Sequence, residues 1–133
     1  SERYGVPVYV PEWMARVEER LGDDVPTQRY TDTLADSGFE VLRCEPFPGW
    51  QEAMLYHAAD GTLIVPDSLG TASAFTTERE RLGVTLVRRL SPPSDLLNGV
   101  EPQRILVGHG KGIFENADDA LDNALDGARR RAG

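Results

Sequence analysis

Residues 53–65 read AMLYHAADGTLIV, and this stretch decides the fold. Two apolar runs, residues 53–57 and Thr62–Val65, flank the four residues AADG, in which the glycine lets the chain reverse. The pattern predicts a β-hairpin. Its second run is apolar without alternation, which is typical of a strand covered on both faces.

The chain before the hairpin predicts a strand followed directly by a helix, then a loop, a short helix and another strand. Trp13, Met14, Val17 and Leu21 recur at helical spacing, and Gly22 ends that helix. These elements are assigned, in order, to residues 6–10, 11–21, 23–28, 30–37 and 39–44, with Gly38 closing the short helix.

The chain after the hairpin predicts two more strands, over residues 84–88 and 104–107, with a helical turn at 94–97 between them. A long amphipathic helix follows Asn116, its expected N-cap. Two aspartates near its start and three arginines near its end suit the helix dipole. Its apolar stripe consists of Ala117, Ala120, Leu121, Ala124, Leu125 and Ala128.

The length of 133 residues suits one domain, so we expect residues 1–133 to form a single domain. Strands that alternate with helices predict an α/β protein with a mixed β-sheet covered by helices. Arg79, Arg81, Arg88 and Arg89 lie in a charged stretch, and we interpret them as exposed ion-pairing residues.

The formal net charge of −8 disfavours binding to nucleic acid or to anionic membranes. Lys111 is the one lysine among fourteen basic residues, and this acidic, lysine-poor bias is typical of extreme halophiles. An ordinary acidic protein from a GC-rich genome is the alternative. Cys44 is the one cysteine, so the chain holds no internal disulfide or thiolate zinc site, which favours a reducing, cytoplasmic location.

Asp67 and His109 are the candidate site residues because each follows an apolar strand. Open sheets commonly present their ligands at the carboxyl ends of strands, so we expect the two side chains to emerge from adjacent strands and converge at one edge of the sheet. His109 lies in the stretch GHGKG at residues 108–112, whose glycines permit close approach and positive φ. Carboxylate and neutral imidazole are ordinary ligands for zinc, manganese or iron.

These stretches resemble the C-terminal halves of metallo-β-lactamase-fold proteins, which run P-G-H, hairpin, apolar strand, G-D, and then apolar strand and G-H-G. Here they read PGW at 48–50, LIVPD at 63–67 and ILVGHG at 105–110. The resemblance implies a partial αββα fold, with Asp67 as the metal-bridging aspartate and His109 as the last metal-ligand histidine. Trp50 stands where the family has its middle histidine, and Pro66 where it has a glycine.

The family's H-x-H-x-D-H signature is missing from the chain, and we expect it upstream of Ser1 if a longer parent exists. Two ligand candidates are fewer than the three that a catalytic zinc site needs. We therefore expect no hydrolysis and no tight metal binding by this chain alone. If a full-length form supplies that signature, we expect it to bind zinc, manganese or iron and to be a metal-dependent hydrolase.

Two alternatives stay open. The chain is a non-catalytic binding or assembly module that kept the scaffold, or an unrelated small α/β protein. Asp67 and His109 would then be ordinary turn residues, as His57 is expected to be an ordinary packing histidine. A truncated sandwich would also leave an apolar sheet face uncovered, so we expect self-association into a homo-oligomer through that face.

Overall fold

The structure is a computed structural model that describes residues 3–132, with only the backbone of Ala132. Within that range the chain forms eight strands, two α-helices and one 3₁₀ helix. The strands are Val8–Pro11 (β1), Thr27–Tyr30 (β2), Glu40–Cys44 (β3), Glu52–His57 (β4), Thr62–Val65 (β5), Leu69–Gly70 (β6), Gly83–Val84 (β7) and Arg104–Val107 (β8). The helices are Ala15–Leu21 (α1), Leu86–Leu90 (3₁₀) and Ala117–Ala132 (α2).

The central sheet has four strands in the order β3-β4-β5-β8. Strands β3, β4 and β5 pair antiparallel to one another in that order, whereas β8 runs parallel to β5. The predicted hairpin is confirmed: β4 and β5 pair from Leu55 opposite Ile64 to His57 opposite Thr62. The sheet is therefore mixed, and the α/β class is confirmed.

Helix α2 covers one face of this sheet and completes the core. Every residue of its predicted apolar stripe is buried, and the stripe packs against Leu63, Val65 and Ile105 of the sheet. Asn116 directly precedes α2 and its carbonyl accepts the N–H of Ala120. Its φ of +48° differs from the extended backbone usual at an N-cap, so the capping conformation expected there is not the one adopted.

The first predicted strand and helix are correct in kind but shifted along the chain. Pro11 belongs to β1, where it lies opposite Tyr30 of β2, so α1 begins only at Ala15. The loop expected at residues 23–28 overlaps β2, which pairs with β1 in parallel. The conformation of this region depends on the pairing of β1 with β2, and no local sequence pattern predicts such pairing.

The short helix expected at residues 30–37 is wrong. Residues 31–39 form turns in which Leu34 N–H donates to Phe39 O and Ala35 has a φ of +47°. The strand expected at 84–88 is also wrong beyond Val84: the two-residue β7 pairs with β6, and the 3₁₀ helix follows. That helix turns Arg88 inward, where it is 2% exposed, so Arg88 is not the exposed ion-pairing residue that the sequence indicated.

The other face of the central sheet carries an apolar row across all four strands. Its members lie opposite one another and are partly exposed: Val41, Leu55, Ile64 and Leu106. Self-association through this face stays a prediction. Among the described residues, no helix is both long enough and apolar enough to cross a membrane.

Candidate functional site

Asp67 and His109 meet at one edge of the central sheet. Strands β5 and β8 are parallel neighbours with Val65 opposite Val107, and each candidate residue lies two positions beyond its strand. Asp67 Oδ1 and His109 Nε2 are 3.0 Å apart. Both side chains are about half exposed, at 54% and 51%. The convergence that the two strand ends predicted is therefore present in the fold.

His109 is held through both its ring and its backbone. The ring of Phe75 stacks on it with centroids 5.3 Å apart and an interplanar angle of 22°. The His109 carbonyl accepts the N–H groups of Thr71 and Ala72, at 3.0 and 3.2 Å. Position 108, next to His109, requires glycine because a Cβ there would overlap the carbonyl oxygen of Pro66. The loop from β8 thus approaches β5 closely enough for the histidine to reach the aspartate.

Asp67 is held by Glu52, a residue that sequence reasoning missed. Glu52 begins β4 and is 2% exposed. Its Oε2 accepts the backbone N–H of Asp67 at 2.7 Å and that of Ser68 at 2.9 Å. Its Oε1 accepts the Ser68 hydroxyl and, at 3.2 Å, the indole N–H of Trp50. A buried carboxylate therefore supports the turn that carries the candidate ligand.

Arg88 balances this buried carboxylate through Ser68. Its Nε donates to Ser68 Oγ at 3.2 Å, its Nη1 donates to the Ser91 carbonyl, and its Nη2 lies 3.5 Å from Cys44 Sγ. Burial raises the pKa of the Cys44 thiol, although the Arg88 charge partly opposes that shift. The cysteine is therefore part of a buried polar cluster and carries a protonated thiol at neutral pH.

Trp50 shares a cavity with the Asp67–His109 pair. The cavity has a volume of about 310 Å³ and is lined by Gly49, Trp50, Gln51, Asp67, Phe75, Thr85 and His109. The tryptophan thus lies beside the two candidate ligands, where the resemblance has a histidine. An indole has a donor N–H and no lone pair for a metal, and here that N–H is directed at Glu52.

His57 lies at the other end of β5 from the candidate site. Its Nδ1 is 3.1 Å from Asp60 Oδ1, outside hydrogen-bond geometry, and its ring contacts Phe39 at 5.1 Å between centroids. The chain therefore has two histidine–aspartate pairs, and the His57 pair belongs to the hairpin turn.

The donor atoms of Asp67 and His109 fit two positions around one ion. Two ligands bonded to zinc at 2.0–2.1 Å with tetrahedral angles lie roughly 3.3 Å apart, close to the 3.0 Å observed. Within residues 3–132 no group of three or more His, Cys, Asp or Glu side chains is arranged to hold a metal ion.

No protein-family model matches the chain, and comparison with curated proteins finds no match.

Proposed function

We propose that this chain is the C-terminal part of a metallo-β-lactamase-like αββα domain, and that Asp67 and His109 are two ligands of an incomplete divalent-metal site. The observation that carries the proposal is the 3.0 Å contact between Asp67 Oδ1 and His109 Nε2 at the shared edge of β5 and β8. The position of Trp50 in the same cavity supports it, because the three corresponding stretches of the family converge here as well.

The chain's own residues hold and orient the site. Asp67 Oδ1 and His109 Nε2 would bind the ion, Phe75 fixes the plane of the imidazole, and Gly108 permits the close approach of the two loops. A bound zinc, manganese or iron ion would supply Lewis acidity for the hydrolysis of an ester, thioester, amide or phosphoester. Two protein ligands are one fewer than a catalytic zinc site normally has, so the chain alone is not a hydrolase.

A non-catalytic binding or assembly module is the second candidate, and Trp50 favours it. The indole occupies cavity wall where a third ligand would be needed, and its N–H is already bonded to Glu52. In this reading the scaffold is retained while the cavity binds a ligand or partner without chemistry. The two candidates differ in whether Asp67 and His109 respond to metal.

The test is a zinc titration followed by ¹⁵N NMR of the two histidine rings. We expect zinc to shift the His109 ring nitrogens, and His57 to stay unchanged because it lies at the opposite end of β5. Asp67→Asn should weaken zinc binding by about tenfold or more. Asp60→Asn is the matched control, since it alters the other histidine–aspartate pair and should leave zinc affinity unchanged.

Equal shifts of both histidines, or unchanged affinity in Asp67→Asn, would remove the metal site and leave the binding-module reading. Hydrolysis of activated esters should not exceed that of His109→Ala at any zinc concentration. A zinc-dependent rate that His109→Ala abolishes would contradict the conclusion that this chain alone is not catalytic.

A further inference from the structure

We propose that Glu52 is the positioning residue of the Asp67–His109 pair: its buried carboxylate replaces the end of the β4–β5 ladder and fixes the turn that presents Asp67. The last backbone pair of that ladder before the site is Leu55 opposite Ile64. Beyond it Pro66 has no N–H to donate. The Glu52 side chain reaches across and accepts the next two N–H groups instead.

Both of those bonds end on one oxygen, and this determines the backbone at the site. Glu52 Oε2 lies 2.7 Å from Asp67 N and 2.9 Å from Ser68 N, so the two consecutive N–H groups must both be directed at this oxygen. Their orientation sets the direction in which the Asp67 side chain leaves the turn. The Asp67 side chain itself is about half exposed, and its hydrogen bond is the one with His109.

The requirement is for a carboxylate and not for its neutral isostere. Four donors face Glu52, namely the N–H of Asp67, the N–H and hydroxyl of Ser68, and the indole of Trp50. A glutamine would turn an NH₂ group toward two of them and leave those donors without an acceptor. Trp50 is then part of the support for Asp67, which gives a physical reason for an indole at this position.

The positioning role of Glu52 rests on the proposed function only in that the Asp67–His109 pair would bind metal. The positioning itself is measured without metal. The variant is Glu52→Gln, and the control is Glu40→Gln, an exposed glutamate on the neighbouring strand β3. We expect the amide protons of Asp67 and Ser68 to move upfield in Glu52→Gln. Their protection from hydrogen exchange should fall by about tenfold or more, while the amides of Leu63 and Ile105 keep theirs.

Trp50→Phe is the second variant, for use also if Glu52→Gln does not fold. It removes one of the donors that orient the Glu52 carboxylate and leaves both bonds to Oε2, so we expect the hydrogen-exchange protection of Ser68 to fall, but by less than in Glu52→Gln. The nuclear Overhauser contact between the Phe75 and His109 rings should persist in both variants, because neither ring takes part in the hydrogen bonds of Glu52.

Unchanged Asp67 and Ser68 amides in Glu52→Gln would overturn the proposal, and so would an equal loss of protection throughout the sheet. Zinc distinguishes this failure from that of the proposed function. If the amides move but zinc never binds the wild-type chain, Glu52 positions Asp67 and the metal site is wrong. If zinc binds wild type and Glu52→Gln with equal affinity and the two amides do not move, the metal site stands and the positioning role is wrong.

Discussion

Ser68 links the two buried charged side chains of the described structure, Glu52 and Arg88, by hydrogen bonds. It is fully buried, and its hydroxyl donates to Glu52 while accepting from Arg88. Buried ions are tolerated when each is bonded and when opposite charges compensate one another. A single hydroxyl here satisfies both partners, so its removal affects both.

Ser68→Ala should therefore lower the free energy of unfolding by about 1–3 kcal/mol, because it leaves a buried donor on Arg88 and a vacant acceptor position on Glu52. Urea denaturation followed by fluorescence measures the change. Ser73→Ala, at an exposed serine, is the control and should stay within about 0.5 kcal/mol of wild type. A loss for Ser68→Ala as small as that of the control would show that the hydroxyl bridge contributes nothing.

Among the individual residues of the site, the sequence predicted the two that follow strand ends. It did not predict the buried residues that support them. Asp67 and His109 were predicted because apolar strands and glycines mark the ends of β5 and β8. Glu52 and Arg88 carry no such mark, since a charged side chain is normally exposed. Their burial depends on hydrogen bonds with Ser68, which lies 16 residues from Glu52 and 20 residues from Arg88 along the chain.

The hairpin of β4 and β5 is the element that aligns the site. Gly61 in its turn has a φ of +71°, and its carbonyl accepts the N–H groups of Gln103 and Arg104 at 2.8 and 3.2 Å. These bonds start the parallel pairing of β8 with β5, which begins with Thr62 opposite Arg104. The turn at one end of β5 thus sets the register that brings His109 to Asp67 at the other end.

Gly61→Ala should destabilise the protein more than Gly99→Ala does. Both glycines have positive φ, at +71° and +81°, so each substitution costs about 1 kcal/mol or more of backbone strain. At Gly61 the added Cβ would also overlap the Gln103 side chain and lie 2.9 Å from its backbone N, whereas at Gly99 nothing lies within 4 Å. Thermal unfolding of the two variants measures the difference, and equal losses would refute the steric argument.

Elements with their own periodic pattern were predictable and the short ones were not. The hairpin and α2 have strong patterns and appear where expected. Residues 30–37 and 84–88 have weak patterns, and both were assigned wrongly. In short segments the local preference is small, so tertiary contacts such as the burial of Arg88 decide the conformation.

The whole molecule carries a net charge of −8, and most of its acidic side chains are exposed. Like charges at such density repel one another in the compact state, and salt screens this repulsion. Raising the salt concentration from 0.1 to 1 M shortens the screening length from about 10 Å to about 3 Å. A halophilic origin stays a prediction, but the dependence on salt follows from the charge.

The melting temperature should therefore rise by several degrees between 0.1 and 1 M KCl, as measured by circular dichroism. A variant that combines Glu19→Gln, Asp23→Asn and Asp122→Asn neutralises three exposed carboxylates and should respond less to salt. Identical responses of the two proteins would show that stabilisation by KCl has a source other than screening of net charge.

The order of residues was enough to predict the α/β class, the hairpin, the last helix and the two side chains at the ends of β5 and β8, because each of these follows from local periodicity or from strand ends. Folding was needed to show that Glu52 and Arg88 are buried and that Trp50 donates its N–H to Glu52. These features join residues far apart in the chain. Their energies exist only once the chain has folded, so no stretch of sequence shows them in advance.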